Sequence, residues 1–449
     1  MQIEAMRLSD FLKPFPCDCG KPHTTDLKNV EIGTGVLFKL PEILRELNHH
    51  KAFVLADQTT FEAAGRDVLA ILEKSGFPFA FHLIPQPEVT PDETTLGSIL
   101  MAYDRTCDVI VGVGSGTIND ISRFLSYQAG LMYFIVGTAP SMDGFASSVA
   151  PMITNNLKTT YETHVPQAII ADLAILSKAP MNMIAAGFGD ILGKYTCLAD
   201  WKLSHIINGE YYCPTVAGIM NLALTRTIES RDGLKNRDMA AIQKLTEALI
   251  LAGIAMSYVG NSRPASGCEH HLSHFWEMRF LFEGRKAVLH GTKVGIGEVA
   301  ALKLHELLQK ESIDFDKVKK TTVPLMDEAW EGKIRKAFQA AAPEVIALEK
   351  KTGKNAPEGR LKRIQAMEER WPEIQEVFAS LPSSKVAEEL LASVGGPIRP
   401  REVGLTEETV RESILYAKEV RNRYTVLQML WDFGLLETYA DEVTEELFA

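Results

Sequence analysis

Over the first third of the chain, short apolar runs alternate with amphipathic stretches. Lys51-Ala-Phe-Val-Leu-Ala-Asp57 is apolar and ends in an acid, and a helical pattern follows over 61–74. Residues 79–84 read as a strand, 91–103 as a helix, 108–113 as a buried strand, 117–128 as a helix and 131–136 as a strand. Short apolar runs separated by helices of about ten to fifteen residues predict βαβ units and a parallel sheet covered on both faces. After the apolar run 167–172 the pattern changes. Long helical patterns fill 239–258, 286–309 and 406–432, with few strand-like runs between them. The expected fold is an α/β nucleotide-binding domain with a parallel sheet over 1–175, followed by an all-α metal- and substrate-binding domain over 176–449.

Composition narrows the class without changing that picture. A chain of 449 residues has room for two or three domains. Its 46% hydrophobic and 23% charged residues exclude global disorder. A net charge of −11 argues against a general nucleic-acid binder, which needs a basic footprint. The brief basic run Lys317-Val-Lys-Lys320 reads as a solvated face. Met1-Gln2-Ile3-Glu4 lacks the basic start of a signal peptide. The apolar stretch 249–259, interrupted by Gly253 and Ser257, reads as too short to span a bilayer. Six cysteines (Cys17, Cys19, Cys107, Cys197, Cys213 and Cys268) are sparse for a disulfide framework in so long a chain. The expected setting is a soluble chain in the reducing cytoplasm, with no membrane span.

The run Val111-Gly-Val-Gly-Ser-Gly-Thr-Ile-Asn-Asp120 leaves an apolar strand and enters a helix. Glycines let the backbone approach an anion, and the helix N-terminus offers N–H groups and a positive dipole end. Ser115 or Thr117 adds a hydroxyl. A pyrophosphate would be held well, although the usual dinucleotide fingerprint has glycine where Thr117 stands. The acid placed to hold ribose hydroxyls is Asp57. The alternative is a tight strand-to-helix turn of any α/β protein. A second polar loop, 137–148, follows the next strand and is placed to line the same cleft.

Four of the 11 histidines fall between 270 and 290. His270 and His274 are four apart and share one face of a helix. His290 follows in Leu289-His-Gly-Thr-Lys293. Imidazole suits zinc, nickel or ferrous iron, and a catalytic ion keeps three protein ligands and an open position. Gly187-Phe-Gly-Asp-Ile-Leu-Gly-Lys194 offers Asp190 as a carboxylate ligand, with Lys194 aimed at an anionic substrate. The alternatives are core histidines, a helix cap for Asp190 and a solvated face for Lys194. His271 reads as structural, and Cys268 as a buried cysteine. Cys17-Asp18-Cys19 with His23 looks like part of a zinc hook. Without a clear fourth ligand it reads as a local structural feature.

Jointly, Gly114–Asp120, Gly137–Ser147, Gly187–Lys194, Ser266–His274 and His290-Gly-Thr-Lys-Val-Gly295 resemble the iron-containing alcohol dehydrogenase and dehydroquinate synthase superfamily. Within it the likeness is to the sn-glycerol-1-phosphate dehydrogenases, and Gly395–Gly404 resembles their C-terminal loop. The resemblance implies a reversible NAD- or NADP-dependent reduction of dihydroxyacetone phosphate to sn-glycerol 1-phosphate, with zinc, nickel or iron as Lewis acid and a homodimer as the assembly. It assigns Asp57 to the ribose, and Gly114, Ser115, Gly116, Thr117, Ile118, Asn119 and Asp120 to the pyrophosphate loop. Thr138, Ala139, Pro140, Ser141 and Ser147 would meet the nicotinamide half. Asp143 would touch substrate, Asp190, His270 and His290 would hold the metal, and His274 would face the substrate as proton shuttle. Lys194 or Lys293 would pair with the substrate phosphate. Dehydroquinate synthases tend to carry Glu at the first metal position, so Asp190 favours a dehydrogenase. Ser115 replaces the middle glycine of the family's loop. Rival readings are a polyol dehydrogenase or dehydroquinate synthase-like enzyme, and a metal- and nucleotide-binding regulatory protein without turnover.

Overall fold

The apolar runs assemble into one parallel sheet. The computed structural model describes residues 6–86, 88–155, 157–321, 323 and 326–449. The strands are β1 (Asn29–Gly33), β2 (Ala52–Asp57), β3 (Phe79–Ile84), β4 (Val109–Gly114), β5 (Met132–Gly137), β6 (Val149–Thr154), β7 (Leu157–Glu162) and β8 (Ala168–Asp172). Six of them form the sheet in the order β1-β8-β5-β4-β2-β3, every pair parallel. β6 and β7 form a separate antiparallel hairpin. β4 and β8 are buried along their whole length, as strands covered on both faces must be. Val54, Val111, Val113, Phe134 and Ile170 share one core with Val68 and Leu72 of the helix Arg66–Lys74.

By compactness the chain divides into two units, Met1–Ile191 with Gly218–Asn261, and Leu192–Ala217 with Ser262–Ala449. The first holds every strand. The second is helical throughout its described residues, apart from loops. In the first unit the strand order reverses between β2 and β4. β3 lies on one side of β2, and the chain returns to place β4 on the other. A crevice at the carboxyl ends of such neighbours is where open α/β sheets bind ligands.

Five sequence expectations change. Residues 29–33 form an edge strand that the pattern missed, and 149–162 carry the hairpin. The helix expected from 286 begins at His290, after Leu289. The single helix expected over 406–432 is broken. It runs as Glu407–Tyr416, a tight turn Ala417–Glu419 and a new helix Val426–Phe433. The apolar stretch near 249 belongs to a helix, Met239–Val259, of 21 residues, so it is long and apolar enough to cross a bilayer. Its most apolar window is 67% buried inside the protein, which makes it a core helix.

Two glycines on helices of the first unit mark opposite packing limits. A Cβ on Gly187 would stand 2.0 Å from the Pro140 carbonyl oxygen, so the helix Met181–Leu192 lies directly on the loop after β5. A Cβ on Gly97 would meet nothing within 4 Å. Gly187→Ala is expected to destabilise by about 1–3 kcal/mol through overpacking. Gly97→Ala, inside the helix Glu93–Ala102, should stabilise by about 0.5–1 kcal/mol. Thermal melts of both variants check the pair, and equal shifts would contradict the close approach at Pro140.

Candidate active site

The sheet edge of the first unit is built by three strand ends. β2 and β4 pair as far as Leu55 with Gly112, and Asp57 and Gly114 each lie two residues beyond that pair. Gly114 of β4 is level with Gly137 of β5. The two loops are tied together. Thr138 N–H donates to the Gly114 carbonyl at 3.1 Å, and Ser115 Oγ lies 2.7 Å from Ser141 Oγ and 3.1 Å from the Ala139 carbonyl oxygen. The serine that replaces a loop glycine is therefore a strut between the two loops. Gly114 is obligatory, because a Cβ there would stand 2.5 Å from Ile118 Cβ. Ser115 is the residue before the helix Gly116–Ala129, which aims its first N–H groups at the crevice mouth. Asp57 caps the short helix Gln58–Thr60, with one carboxylate oxygen accepting from Thr60 N–H at 2.7 Å.

Arg123, which sequence reasoning missed, sets the shape of the second loop. Its guanidinium is fully buried and donates to Asp120 Oδ1 at 2.8 Å, Tyr133 Oη at 2.9 Å and the Val149 carbonyl at 2.7 Å, and also to the Gly144 carbonyl. Asn119 Nδ2 adds a bond to the Gly144 carbonyl at 3.0 Å. Asp120 and Asn119 thus serve the loop as well as the helix start. Asp143 and Asp190 are both buried, and the Asp143 N–H donates to Asp190 Oδ2 at 3.0 Å. Gly187, one helical turn before Asp190, supplies the close contact that makes this reach possible.

In the second unit, the helix Cys268–Phe282 and the start of the helix His290–Lys310 bring three imidazoles together. Ring centroids are 5.2 Å apart for His270 and His290, 5.7 Å for His274 and His290, and 6.0 Å for His270 and His274. His274 Nε2 lies 3.4 Å from Arg421 Nη2, and its Nδ1 lies 3.7 Å from Glu277 Oε2. Lys194 and Lys293 are completely buried, which removes the solvated-face alternative for Lys194. Lys194 Nζ donates to the Ala265 carbonyl at 3.0 Å, and Lys293 Nζ to the Val288 carbonyl at 3.0 Å, with Glu277 Oε1 at 3.4 Å. His271 is buried, and desolvation holds its imidazole well below its usual pKa, so it is a neutral core residue as expected.

The support beneath His270 was also missed. Glu269 is wholly buried, and its Oε1 sits 2.7 Å from His270 Nδ1 and accepts from Gly267 N–H at 2.8 Å. Its Oε2 is 2.9 Å from Thr196 Oγ1, which also contacts Glu298. Burial pushes both carboxyls up, Glu298 well above the carboxylate range. Nearby, Asp200 accepts from Cys268 N–H at 2.7 Å and Val426 N–H at 2.8 Å, and burial pushes its pKa up to about 8.

Residues 31–180 match the family model described as iron-containing alcohol dehydrogenase. A probable glycerol dehydrogenase from Sinorhizobium meliloti shares the fold, with a TM-score of 0.59 at 16% identity over 93% of this chain and 98% of that one. The chain is 35% identical to a glycerol-1-phosphate dehydrogenase [NAD(P)+] of Bacillus licheniformis, over 94% of this chain and 93% of that protein. It is 33% identical to the enzyme of the same name from Halalkalibacterium halodurans, over 92% of this chain and 95% of that protein. The chain belongs to the glycerol-1-phosphate dehydrogenase family, which these near end-to-end likenesses show.

Arg123→Met keeps the side chain's length but removes its donors to the loop. Each buried carbonyl left unsatisfied should cost about 1–3 kcal/mol. A lower melting temperature with faster amide exchange over 144–149 is expected. Unchanged exchange there would mean that another group holds the loop.

Proposed function

We propose that this chain catalyses the reversible NAD(P)H-dependent reduction of dihydroxyacetone phosphate to sn-glycerol 1-phosphate. The similarity to glycerol-1-phosphate dehydrogenases carries this reading, because it runs almost end to end and so includes both the sheet edge and the histidine helix. In this reading Asp190, His270 and His290 supply a carboxylate and two imidazoles to a divalent metal ion. Zinc, nickel and iron all accept such donors. The donors fit, since Glu269 occupies the Nδ1 side of His270 and leaves Nε2 to ligate. When bound, the cation supplies Lewis-acid polarisation of the substrate carbonyl, and the nicotinamide supplies the hydride.

The protein's own groups then bind and orient. The backbone of Gly114, Ser115 and Gly116 and the helix start Thr117–Asp120 cradle the pyrophosphate, while Asp57 accepts from the ribose hydroxyls. Thr138, Ala139, Pro140, Ser141 and Ser147 line the nicotinamide half. Asp143 contacts the substrate, and Lys194 or Lys293 faces its phosphate. His274 delivers the proton to the nascent alkoxide oxygen, an imidazole being able to gain and lose it near neutral pH. The acting species is a cytoplasmic homodimer, which light scattering of the purified protein tests.

The direct test is NADH oxidation with dihydroxyacetone phosphate, with and without chelator, followed by chiral analysis of the product. Turnover should need the metal and give the sn-1 phosphate. Activity with unphosphorylated glycerol or dihydroxyacetone alone would move the chain to the polyol dehydrogenases. His270→Ala should lose both bound metal and turnover. Glu269→Gln should weaken metal retention about 10–100-fold in chelator competition. Asp57→Ala should raise KM for NADH more than for NADPH, since a carboxylate favours a free 2′-hydroxyl over a 2′-phosphate. Equal changes for the two cofactors would remove Asp57 from the ribose.

A further inference from the structure

Beside the histidine cluster of the second unit lie two guanidiniums that form no ion pair among the described residues, those of Arg421 and Arg423. The segment Arg421-Asn422-Arg423 follows the turn Ala417–Glu419 and precedes the helix Val426–Phe433. Arg423 N–H donates to the Arg421 carbonyl at 2.9 Å, so the chain bends tightly here. The bend is fastened on both sides within the same unit. Before it, Lys418 and Glu419 are buried. After it, the Tyr424 carbonyl accepts from Arg263 Nη1 at 2.9 Å, and Val426 N–H donates to Asp200 Oδ1 at 2.8 Å. Arg421 and Arg423 are half-buried on this anchored segment, so each keeps a solvent-facing part that a ligand can reach.

Positive charge is in surplus at this place. Arg421 and Arg263 both repel Arg423, and Glu210 is the acid that offsets them. Glu210 is already committed, because its oxygens take Arg263 Nε at 2.8 Å and Nη2 at 2.5 Å, and Ser204 Oγ donates to it at 2.5 Å. Burial and the like charges push the Arg423 pKa down to about 9. Its Nη1 is buried and has no hydrogen-bond partner among the described residues. Arg421 meets polar atoms that are not acids. Its Nη1 lies 3.3 Å from Ser262 Oγ, and its Nη2 lies 3.4 Å from His274 Nε2. A buried donor left unmet and a charge left without its counterpart both cost stability, and one anion relieves both.

We propose that Arg421 and Arg423 receive the phosphate of the substrate, and so make the enzyme prefer a phosphorylated triose to an unphosphorylated ketone or polyol. The inference rests on the reading of the chain as a glycerol-1-phosphate dehydrogenase and names where its selectivity lies. A phosphate monoester carries a charge of about −1.5 to −2 at neutral pH and offers three acceptor oxygens. A pair of guanidinium forks matches it in charge and in planar donor geometry, whereas a carboxylate would answer only one of the two charges. Arg421 touches His274, the imidazole assigned to the reacting oxygen, so an anion held here stays close to the chemistry. Lys194 and Lys293 each donate to a backbone carbonyl. A lysine adds a donor to the site, and the guanidiniums supply the matching charge.

The test compares dihydroxyacetone phosphate with dihydroxyacetone as substrates of the full-length, metal-loaded enzyme. Arg423→Met should raise KM for dihydroxyacetone phosphate about 10–100-fold, the worth of a hydrogen bond to a charged group, with a much smaller change in kcat. The ratio of kcat/KM for the phosphorylated over the unphosphorylated ketone should fall by a similar factor. Arg421→Met should lower that ratio too, and Arg423→Lys should recover part of the loss. An unchanged KM for dihydroxyacetone phosphate, or an equal loss with both ketones, overturns the proposal. Phenylglyoxal labelling of the wild type, with the modified peptides mapped by mass, should slow at Arg421 and Arg423 when sn-glycerol 1-phosphate is present but not when glycerol is. That measurement decides the matter if a variant fails to fold, and absence of protection at both arginines counts against the proposal. A wild type that turns over dihydroxyacetone phosphate but fails these tests loses this inference alone. A wild type inactive on it loses the parent reading, and this inference falls with it.

Discussion

The histidine cluster depends on the burial of one carboxylate. Glu269 has no water to solvate it, so each of its acceptor sites must be met by a donor. Gly267 N–H and His270 Nδ1 meet Oε1, and Thr196 meets Oε2. A threonine hydroxyl has one proton, yet Thr196 touches both Glu269 and Glu298. It can satisfy Glu269 only if Glu298 keeps its own proton and donates to Thr196. The upward push that burial gives Glu298 agrees with that direction. Glu298 therefore donates to Thr196 and Thr196 to Glu269, and the Glu269 carboxylate, accepting also from His270, holds the imidazole proton on Nδ1. An imidazole fixed in that tautomer has its Nε2 lone pair aimed away from Glu269, which is the form a metal needs.

The sheet edge follows a related logic with backbone acceptors. A loop at the carboxyl ends of parallel strands is ready for a ligand when it exposes some N–H groups and hides its carbonyls. Arg123 takes the carbonyls of Gly144 and Val149, and Ser115 turns toward that of Ala139. Both side chains are buried, so their bonds are sheltered from competing water. The loops after β4 and β5 are thus set before any ligand arrives, and a preformed cradle spends less binding energy on ordering.

The sequence disclosed the central strands because they are buried on both faces and read as unbroken apolar runs. β1, Asn29-Val-Glu-Ile-Gly33, sits at the edge with every residue only half buried, and its two apolar residues give too short a signal. β7, Leu157-Lys-Thr-Thr-Tyr-Glu162, is polar for the same reason. The break near 417 was hidden by tertiary demand. Lys418 and Glu419 are buried against Asn355 and Lys354, and those contacts override a helical pattern that continues on either side. Glycine-rich loops and histidine spacing were legible at the site. Glu269, Glu298 and Arg123 were not, because a charged residue on a helix ordinarily reads as solvated, and neither was Thr196, an ordinary polar residue of its helix. The available signals were small. Glu269 stands directly before His270, and Arg123 lies on the helix face one turn after Asn119 and Asp120.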